Sequence, residues 1–289
     1  MRPLSLISLL ILTALILQGC SGGLFSSRAP VTLTEAWATD NTLRTPESVV
    51  FDRERNVLYV SNINQVSKDR KDGDGFISRL NPNGDVDQLY WVSGLNDPKG
   101  LALHNNILYV ADMDEIIAIA TQTGAVLARH KADKAQMLND VTIDNAGNVY
   151  VSDSQRGTIY LFRNGRVSQW LDTKRERPNG LLYDNNRLIV ASHNTGKVRF
   201  LDIERQDFTD WTDKIPSADG ITRVGTDGTL VSNWNGEIYY VDINGRNWKI
   251  LDTKNKKINT ADIFYSEEQG LLYVPTFYDN RVVAYRVAF

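Results

Sequence analysis

From residue 46 onward the chain is built of short apolar runs, rich in β-branched and aromatic residues, separated by Gly and Asn turn signals. Residues 138–172, LNDVTIDNAGNVYVSDSQRGTIYLFRNGRVSQWLD, show the pattern most plainly. VTI, NVYVSD, GTIYLF and RVSQWL read as four strands. Asn145-Ala146-Gly147 and Asn164-Gly165 supply the positive φ values of tight hairpins, so consecutive strands are expected to pair antiparallel. The next stretch repeats this grammar with NRLIVAS, KVRFLD and FTDWTD, and the one after it with GTLVSN, EIYYVD and WKILDT. Neither carries a helical period.

One polar or charged residue recurs at the same phase of each unit: Glu47 in PESVVFD, Lys99 in PKGLALH, Asn139 in LNDVTID, Asn179 in PNGLLYD, Asp219 in ADGITRV and Asp262 in ADIFYSE. The intervals are 52, 40, 40, 40 and 43 residues. A period near forty in a β-rich chain is that of propeller blades, so residues 30–289 are expected to form an all-β fold, a six-bladed β-propeller of four-stranded blades. The first strand of every blade lines the central channel, which brings the six residues to one mouth. The last unit ends in RVVAYRVAF with only three strands. VTLTEAWAT, near residues 31–39, is therefore expected to supply its outer strand and close the ring. The first unit carries its extra length in INQVSKDRKDGD, between its second and third strands. That insertion opens on the side of the ring and reads as a solvated loop or as a lip over the channel. Its Asp69, Asp72 and Asp74 do not fit the EF-hand spacing.

The amino terminus is of another kind. MRPLSLISLLILTALILQGC combines Arg2, an apolar run from Leu4 to Leu17 and a Leu-Gln-Gly-Cys ending, so residues 1–19 read as a secretory signal. The ending resembles a bacterial lipobox, in which Cys20 is acylated and becomes the first residue of the mature chain, and residues 20–29 are then a short tether. The apolar run is shorter than a membrane span. By resemblance to lipoprotein sorting, the absence of Asp at Ser21 favours an outer-membrane anchor facing the periplasm. Cys20 is the only cysteine, so the folded body has no thiol for a disulfide, a zinc site or a nucleophile. The net charge of −3 and the lack of any long basic run argue against a nucleic-acid partner. The expected partners are a small-molecule substrate or ligand and, through the lipid alone, a membrane. The protein is expected to be a monomer.

Glu47, Asn139, Asn179 and Asp219 offer two carboxylates and two amide oxygens, a hard-oxygen set that suits calcium better than zinc or copper. Over the whole ring, three carboxylates face one lysine, and a divalent cation would balance the remainder. Asn179-Gly180 and Asp219-Gly220 could each be ordinary turn dipeptides. Glu47-Ser48 is no turn signal, however, and the shared phase is not explained by turns.

With these residues in place, the chain resembles the calcium-dependent six-bladed propellers of the gluconolactonase, regucalcin and luciferin-regenerating enzyme family over residues 30–289. The family's divalent-ion ligands match Glu47 in PESVVFD, Asn139 in LND, Asn179 in PNG and Asp219 in ADG, an arrangement also similar to that of diisopropyl fluorophosphatase and paraoxonase. The resemblance implies an ion that polarises a lactone or phosphoester oxygen, with Asp219 as base or nucleophile. Gluconolactonases commonly follow their Glu with Gly/Ser-Pro-x-Trp; here Glu47 is followed by Ser48-Val49-Val50-Phe51, which marks a distant branch.

Lys99 and Asp262 lie outside the inherited ligand set and either bind substrate or pair with one another across the funnel. His193, in ASHNTG after the second strand of the fourth unit, is expected near the same mouth, as a proton shuttle or a hydrogen-bonded rim residue. His104 is expected at the opposite end and His130 in an interblade connection, so no Ser-His-Asp triad forms. Two functions follow from the sequence: a calcium-dependent hydrolase of a small lactone or related ester, or a periplasmic propeller that binds a ligand or partner protein with calcium serving structure alone. Mass spectrometry of the membrane fraction should find diacylglycerol on Cys20; a mature soluble chain beginning elsewhere, with no acyl mass, would refute the anchor.

Overall fold

The computed structural model describes residues 28–65, 70–174 and 176–289; Cys20 and the lipoprotein signal lie outside the described residues. Twenty-four strands form six separate four-stranded antiparallel sheets, each running from an inner strand on the channel to an outer strand at the rim. The third blade shows why the sequence folds this way. Its strands are Leu138–Ile143, Val149–Asp153, Thr158–Arg163 and Arg166–Asp172. The last two are joined by Asn164 and Gly165, at φ 52° and 74°, the doubly positive pair that a two-residue hairpin requires. No α-helix occurs among the described residues, only the 3₁₀ turns Lys254–Lys256 and Phe277–Asp279.

Six apolar clusters hold the blades, and each lies between two neighbours around the ring. Val50, Tyr59 and Ile77 of blade one meet Leu101, Val110 and Ile117 of blade two. Tyr150, Ile159 and Leu161 of blade three meet Leu181, Val190 and Leu201 of blade four. Because sheets pack face to face, the inner three strands are buried on both faces and the outer ones on one. Each fully buried side chain of this kind stabilises the ring by about 1.5–3 kcal/mol. Five blades also place a tryptophan on the outer strand against an aromatic ring of the same sheet or its neighbour. Trp91 stacks on Tyr59 at 4.5 Å, Trp170 meets Tyr150 at 5.1 Å and Trp211 stacks on Phe200 at 4.7 Å.

The ring closes as the sequence predicts. Thr32–Ala38 pairs antiparallel with Val282–Ala288, so blade six takes its outer strand from the amino-terminal end and its other three from the carboxy-terminal end. Trp37 of this strand packs on Tyr273 at 5.8 Å. One sequence-based expectation is corrected at the rim. His130 does not lie in a connection: it belongs to the outer strand Val126–Lys131 of blade two, where it packs on Phe162 of blade three at 4.3 Å. The run VLARHK is too polar to announce a strand by apolar content, yet an outer strand needs only one covered face.

Since the two ends of the chain are joined only through this sheet, deleting residues 30–40 should lower the melting temperature of the whole molecule in a single cooperative transition followed by circular dichroism. Trp37→Ala should cost about 3–4 kcal/mol, the lower part of the range for emptying an aromatic site. A truncated protein that melts like its parent would show that the closure contributes nothing.

Candidate functional site

The inner strands do more than line the channel. In each of the first five blades the pairing of inner and second strand slips by one residue, between Pro46 and Val49, Pro98 and Leu101, Leu138 and Val141, Pro178 and Leu181, and Ala218 and Ile221. Each slip is a bulge that sets two consecutive residues outside the regular ladder. The bulged pairs are Glu47-Ser48, Lys99-Gly100, Asn139-Asp140, Asn179-Gly180 and Asp219-Gly220. The first member of each faces a cavity of about 200 Å³ at one end of the channel. The second lies one layer deeper, where adjacent blades nearly touch. A Cβ on Gly180 would stand 1.9 Å from the Asp219 carbonyl oxygen, so that layer admits only glycine there.

Serines of the second strands lock these bulges in place. Ser152 Oγ accepts the Asp140 N–H at 2.9 Å and donates to the Asn179 carbonyl of the next blade at 2.7 Å. Ser232 accepts the Gly220 N–H at 2.9 Å and donates to the Ala261 carbonyl at 2.7 Å. This equivalence identifies the ring position of blade six as Ala261. A second one agrees: the Tyr183 N–H donates to Thr142 Oγ1 at 2.8 Å, as the Tyr265 N–H does to Thr222 Oγ1 at 3.1 Å. Asp262 is therefore not a sixth member of the ring. It sits one layer deeper, accepts a hydrogen bond from Ser48 Oγ at 2.6 Å and, with Asp140, borders a larger and mostly apolar cavity of about 360 Å³ at the opposite end. The reason lies in its strand, which is regular only over Phe264–Ser266, so the match of ADI to ADG misplaces the register by one residue.

Five of the six sequence-predicted ring residues thus come together. Glu47, Lys99, Asn139, Asn179 and Asp219 line the 200 Å³ cavity, and His193 lines it with them. All five ring residues are buried. Asn179 donates from Nδ2 to Asp219 Oδ1 at 2.9 Å, and Lys99 Nζ stands 3.9 Å from Glu47 Oε1. The ion pair of Lys99 is thus with Glu47, not with Asp262. His104 ends the inner strand of blade two and borders a different cavity with Phe51 and Asp52.

Charge is unbalanced along the axis. Burial, opposed by Lys99, pushes the Glu47 carboxyl up to about 7. Burial, then Glu47 and Asp262, hold Asp219 well above the ordinary carboxylate range. Burial raises Asp140 to about 8, and burial with the neighbouring Asp140 raises Asp262. His193 is pushed down, first by burial and then by Arg177, so its imidazole is neutral at pH 7. Two buried ring oxygens, Glu47 Oε2 and Asn179 Oδ1, have no hydrogen-bond donor. Orphaned acceptors beside crowded carboxylates are the complement of a cation. Among the described residues no group of three or more His, Cys, Asp or Glu side chains is gathered so as to hold a metal by those side chains alone. The ring's two carboxylates and two amides fit a hard, oxygen-seeking divalent cation.

Apart from His193, a second ring escaped the sequence reading. The residue after the second strand in the first five blades, Ile63, Met113, Ser154, His193 and Trp234, is matched in blade six by Phe277, two residues past the strand end at Pro275. Four of them, from Ser154 to Phe277, form the upper wall of the cavity, and Trp234 meets Phe277 edge to face at 4.7 Å. Two positions before the ring residue lie Met137 and Arg177, which also line it. The repeat that reveals Glu47 carries these positions too; only their mixed chemistry hides them. The insertion of blade one reaches this rim, where Arg70 Nη1 contacts Met137 Sδ at 3.0 Å and Lys71 pairs with Asp114 at 2.7 Å.

No protein-family description matches the chain, and no curated protein is similar to it in sequence. Solved structures share its fold. A catalytically inactive variant of virginiamycin B lyase from Staphylococcus aureus, with quinupristin, is 16% identical at a TM-score of 0.61, covering 89% of this chain and 99% of that one. A streptogramin B lyase is 11% identical at 0.62, covering 89% and 97%. The computationally designed Ika8 protein is 12% identical at 0.53, covering 87% and 99%. At such identities the likeness is one of architecture alone.

Proposed function

We propose that this protein is a calcium-dependent hydrolase of a small ester, with a lactone as the favoured form, acting at the mouth formed by Glu47, Asn139, Asn179 and Asp219. The observation that carries the reading is the pair of orphaned oxygens, Glu47 Oε2 and Asn179 Oδ1, buried in a ring whose carboxylates are crowded and opposed by one lysine. Calcium bound there would polarise the substrate carbonyl and stabilise the charge that develops on its oxygen. Asn179 holds Asp219 by Oδ1, so that Oδ2 is left to accept the proton of the attacking water. Water adds to the acyl carbon, the carbon–oxygen bond of the ester breaks, and the proton passes to the leaving alkoxide. His193, neutral and on the wall of the same cavity, is placed to relay it. Trp234 and Phe277 give the cavity an aromatic wall against which the apolar part of a substrate can pack. By the sequence alone, the enzyme would work tethered through Cys20 to the periplasmic face of an outer membrane.

The lyases of the same fold support a second chemistry for this ring, elimination, in which a proton leaves carbon and no water is consumed. Turnover in ¹⁸O-labelled water separates the two. Hydrolysis leaves one label in the acid product, and elimination leaves none.

Calcium should bind chelator-treated protein in a calorimetric titration, and Glu47→Gln and Asp219→Asn should each abolish or severely weaken it; binding that both variants leave intact would remove the site. The pH dependence has a definite sign. Glu47 rises from 4.5 in the unfolded chain to about 7, and Asp140 from 3.8 to about 8, so the folded metal-free state holds more protons than the unfolded one in that window. Stability without calcium should therefore fall as pH rises from about 5 to 8. Saturating calcium should restore about 2.7 kcal/mol at a hundredfold excess over its Kd, and its affinity should weaken as pH drops below 7. A metal-free protein whose melting temperature climbs across that range would contradict the assignment.

Turnover on a panel of lactones and esters should depend on calcium. Asp219→Asn should lose about 10²–10⁴-fold in kcat, whereas His193→Ala should lose much less, because the first removes both a ligand charge and the proton acceptor. Lys99→Ala should chiefly raise KM if its ammonium meets a charged group of the substrate. A calcium-loaded protein with no turnover across the panel, but with tight binding of a periplasmic ligand, would make it a binding module.

A further inference from the structure

A second cleft of about 610 Å³ opens beside the ring cavity, lined by Gln136, Gln155, Arg156, Thr158, Asp172 and Arg177 among others. Arg177 borders both spaces, so the two adjoin. Its Nε–H donates to the Ser154 carbonyl at 3.2 Å, while the Ser154 side chain is itself fixed to the Pro178 carbonyl at 2.8 Å. The guanidinium is thereby held by one edge on a wall of the ring cavity, and its two Nη groups meet no acceptor among the described residues. Arg156 is tethered differently, through Nη1 to the Lys134 carbonyl at 3.3 Å, and its buried Nε has no acceptor among the described residues. Neither arginine makes an ion pair among the described residues. Arg55, Arg187, Arg223 and Arg281 each do, with Asp52, Asp184, Asp184 and Asp279 respectively.

The cleft is thus positive. Asp172 is the one carboxylate that lines it, set against two guanidiniums, and its Oδ1 is already engaged by the Lys174 N–H at 2.8 Å. The rest of the named wall is amide and hydroxyl, on which an alkyl chain would bury nothing. A buried N–H without an acceptor and two unpaired guanidiniums are together a receptor for an oxyanion, which accepts two parallel N–H bonds from one guanidinium.

We infer that this cleft is an anion subsite and that the substrate is an ester carrying a second group, a carboxylate or a phosphate, which Arg177 and Arg156 hold while the scissile carbonyl lies at the ring. The inference rests on the reading of the ring as a hydrolytic site, but the subsite itself can be tested without it. Calorimetric titration of the full chain, chelator-treated and again with calcium, should show binding of glutarate and of inorganic phosphate under both conditions. Arg177→Gln and Arg156→Gln, which keep a donor on a shorter stem, should each weaken it about tenfold or more at unchanged melting temperature, and Arg177→Lys should not restore it. In turnover, mono-p-nitrophenyl glutarate should exceed p-nitrophenyl valerate in kcat/KM by about tenfold, a preference that Arg177→Gln should erase. Phosphate binding without glutarate binding, or the reverse, would assign the tail. Absence of both, or binding that neither variant weakens, would overturn the subsite. Glutarate binding in a protein that takes up no calcium would overturn the ring and leave the subsite standing. Calcium-dependent hydrolysis in a protein that binds neither glutarate nor phosphate, with no preference between the two esters, would do the opposite.

Discussion

The bulge made by five of the six inner strands governs what this molecule can present on its axis. In a regular strand successive side chains point to opposite faces, and a channel-lining strand would offer one residue in two. The slip between residues such as Leu138 and Val141 frees two neighbours at once, so that Asn139 faces one end of the channel and Asp140 the other. Glycine at Gly100, Gly180 and Gly220 lets adjacent bulges approach within contact of each other's backbone. The serines at 61, 152 and 232 then satisfy the amides that the bulge removes from the ladder. The ring of polar side chains is in this sense a product of strand geometry; the residue types decide only its chemistry.

That geometry carries an electrostatic cost. Glu47, Asp140, Asp219 and Asp262 are brought close with Lys99 as the near cation, and burial first, then the neighbouring carboxylates, raises the proton affinity of each. Burying charge without a partner is among the most unfavourable arrangements a fold can adopt. The interblade clusters supply the stability to tolerate it, since each is shared by two sheets and none touches the carboxylates' requirement for a counter-charge. A core of this size can hold an unfavourable centre in place, where a single sheet could not.

Much of this was legible in the sequence, because propeller repeats write the same positions several times. The period near forty, the closure by the amino-terminal strand and the coincidence of Glu47, Lys99, Asn139, Asn179 and Asp219 at one mouth all follow from phase alone. Phase failed where a blade departs from the pattern. Asp262 looked equivalent to Asp219 because both follow alanine, yet blade six enters its inner strand late, and only the Ser232 and Thr222 hydrogen bonds reveal that Ala261 holds the ring position. His130 was missed for the opposite reason, since an outer strand exposed on one face need not alternate strongly. The wall formed by Ser154, His193, Trp234 and Phe277 shows a further limit. Its members share a position but no chemistry, and a repeat search tuned to similar residues passes over a ring built of different ones.

That mixed wall is also where specificity belongs on this scaffold. The inner ring is constrained by the bulge and by neighbouring backbones, so it has little freedom to vary. The residues two before the ring and those after each second strand face the same cavity from loops, where a substitution disturbs no ladder. Arg177 occupies such a position, tied by its backbone carbonyl to the His193 N–H at 2.9 Å and by its Nε to Ser154. Those contacts couple three cavity-lining residues from two blades. On this scaffold the choice of substrate can therefore be altered by side chains on the loops that surround the ring while the bulged inner strands stay as they are, so fold and function vary independently.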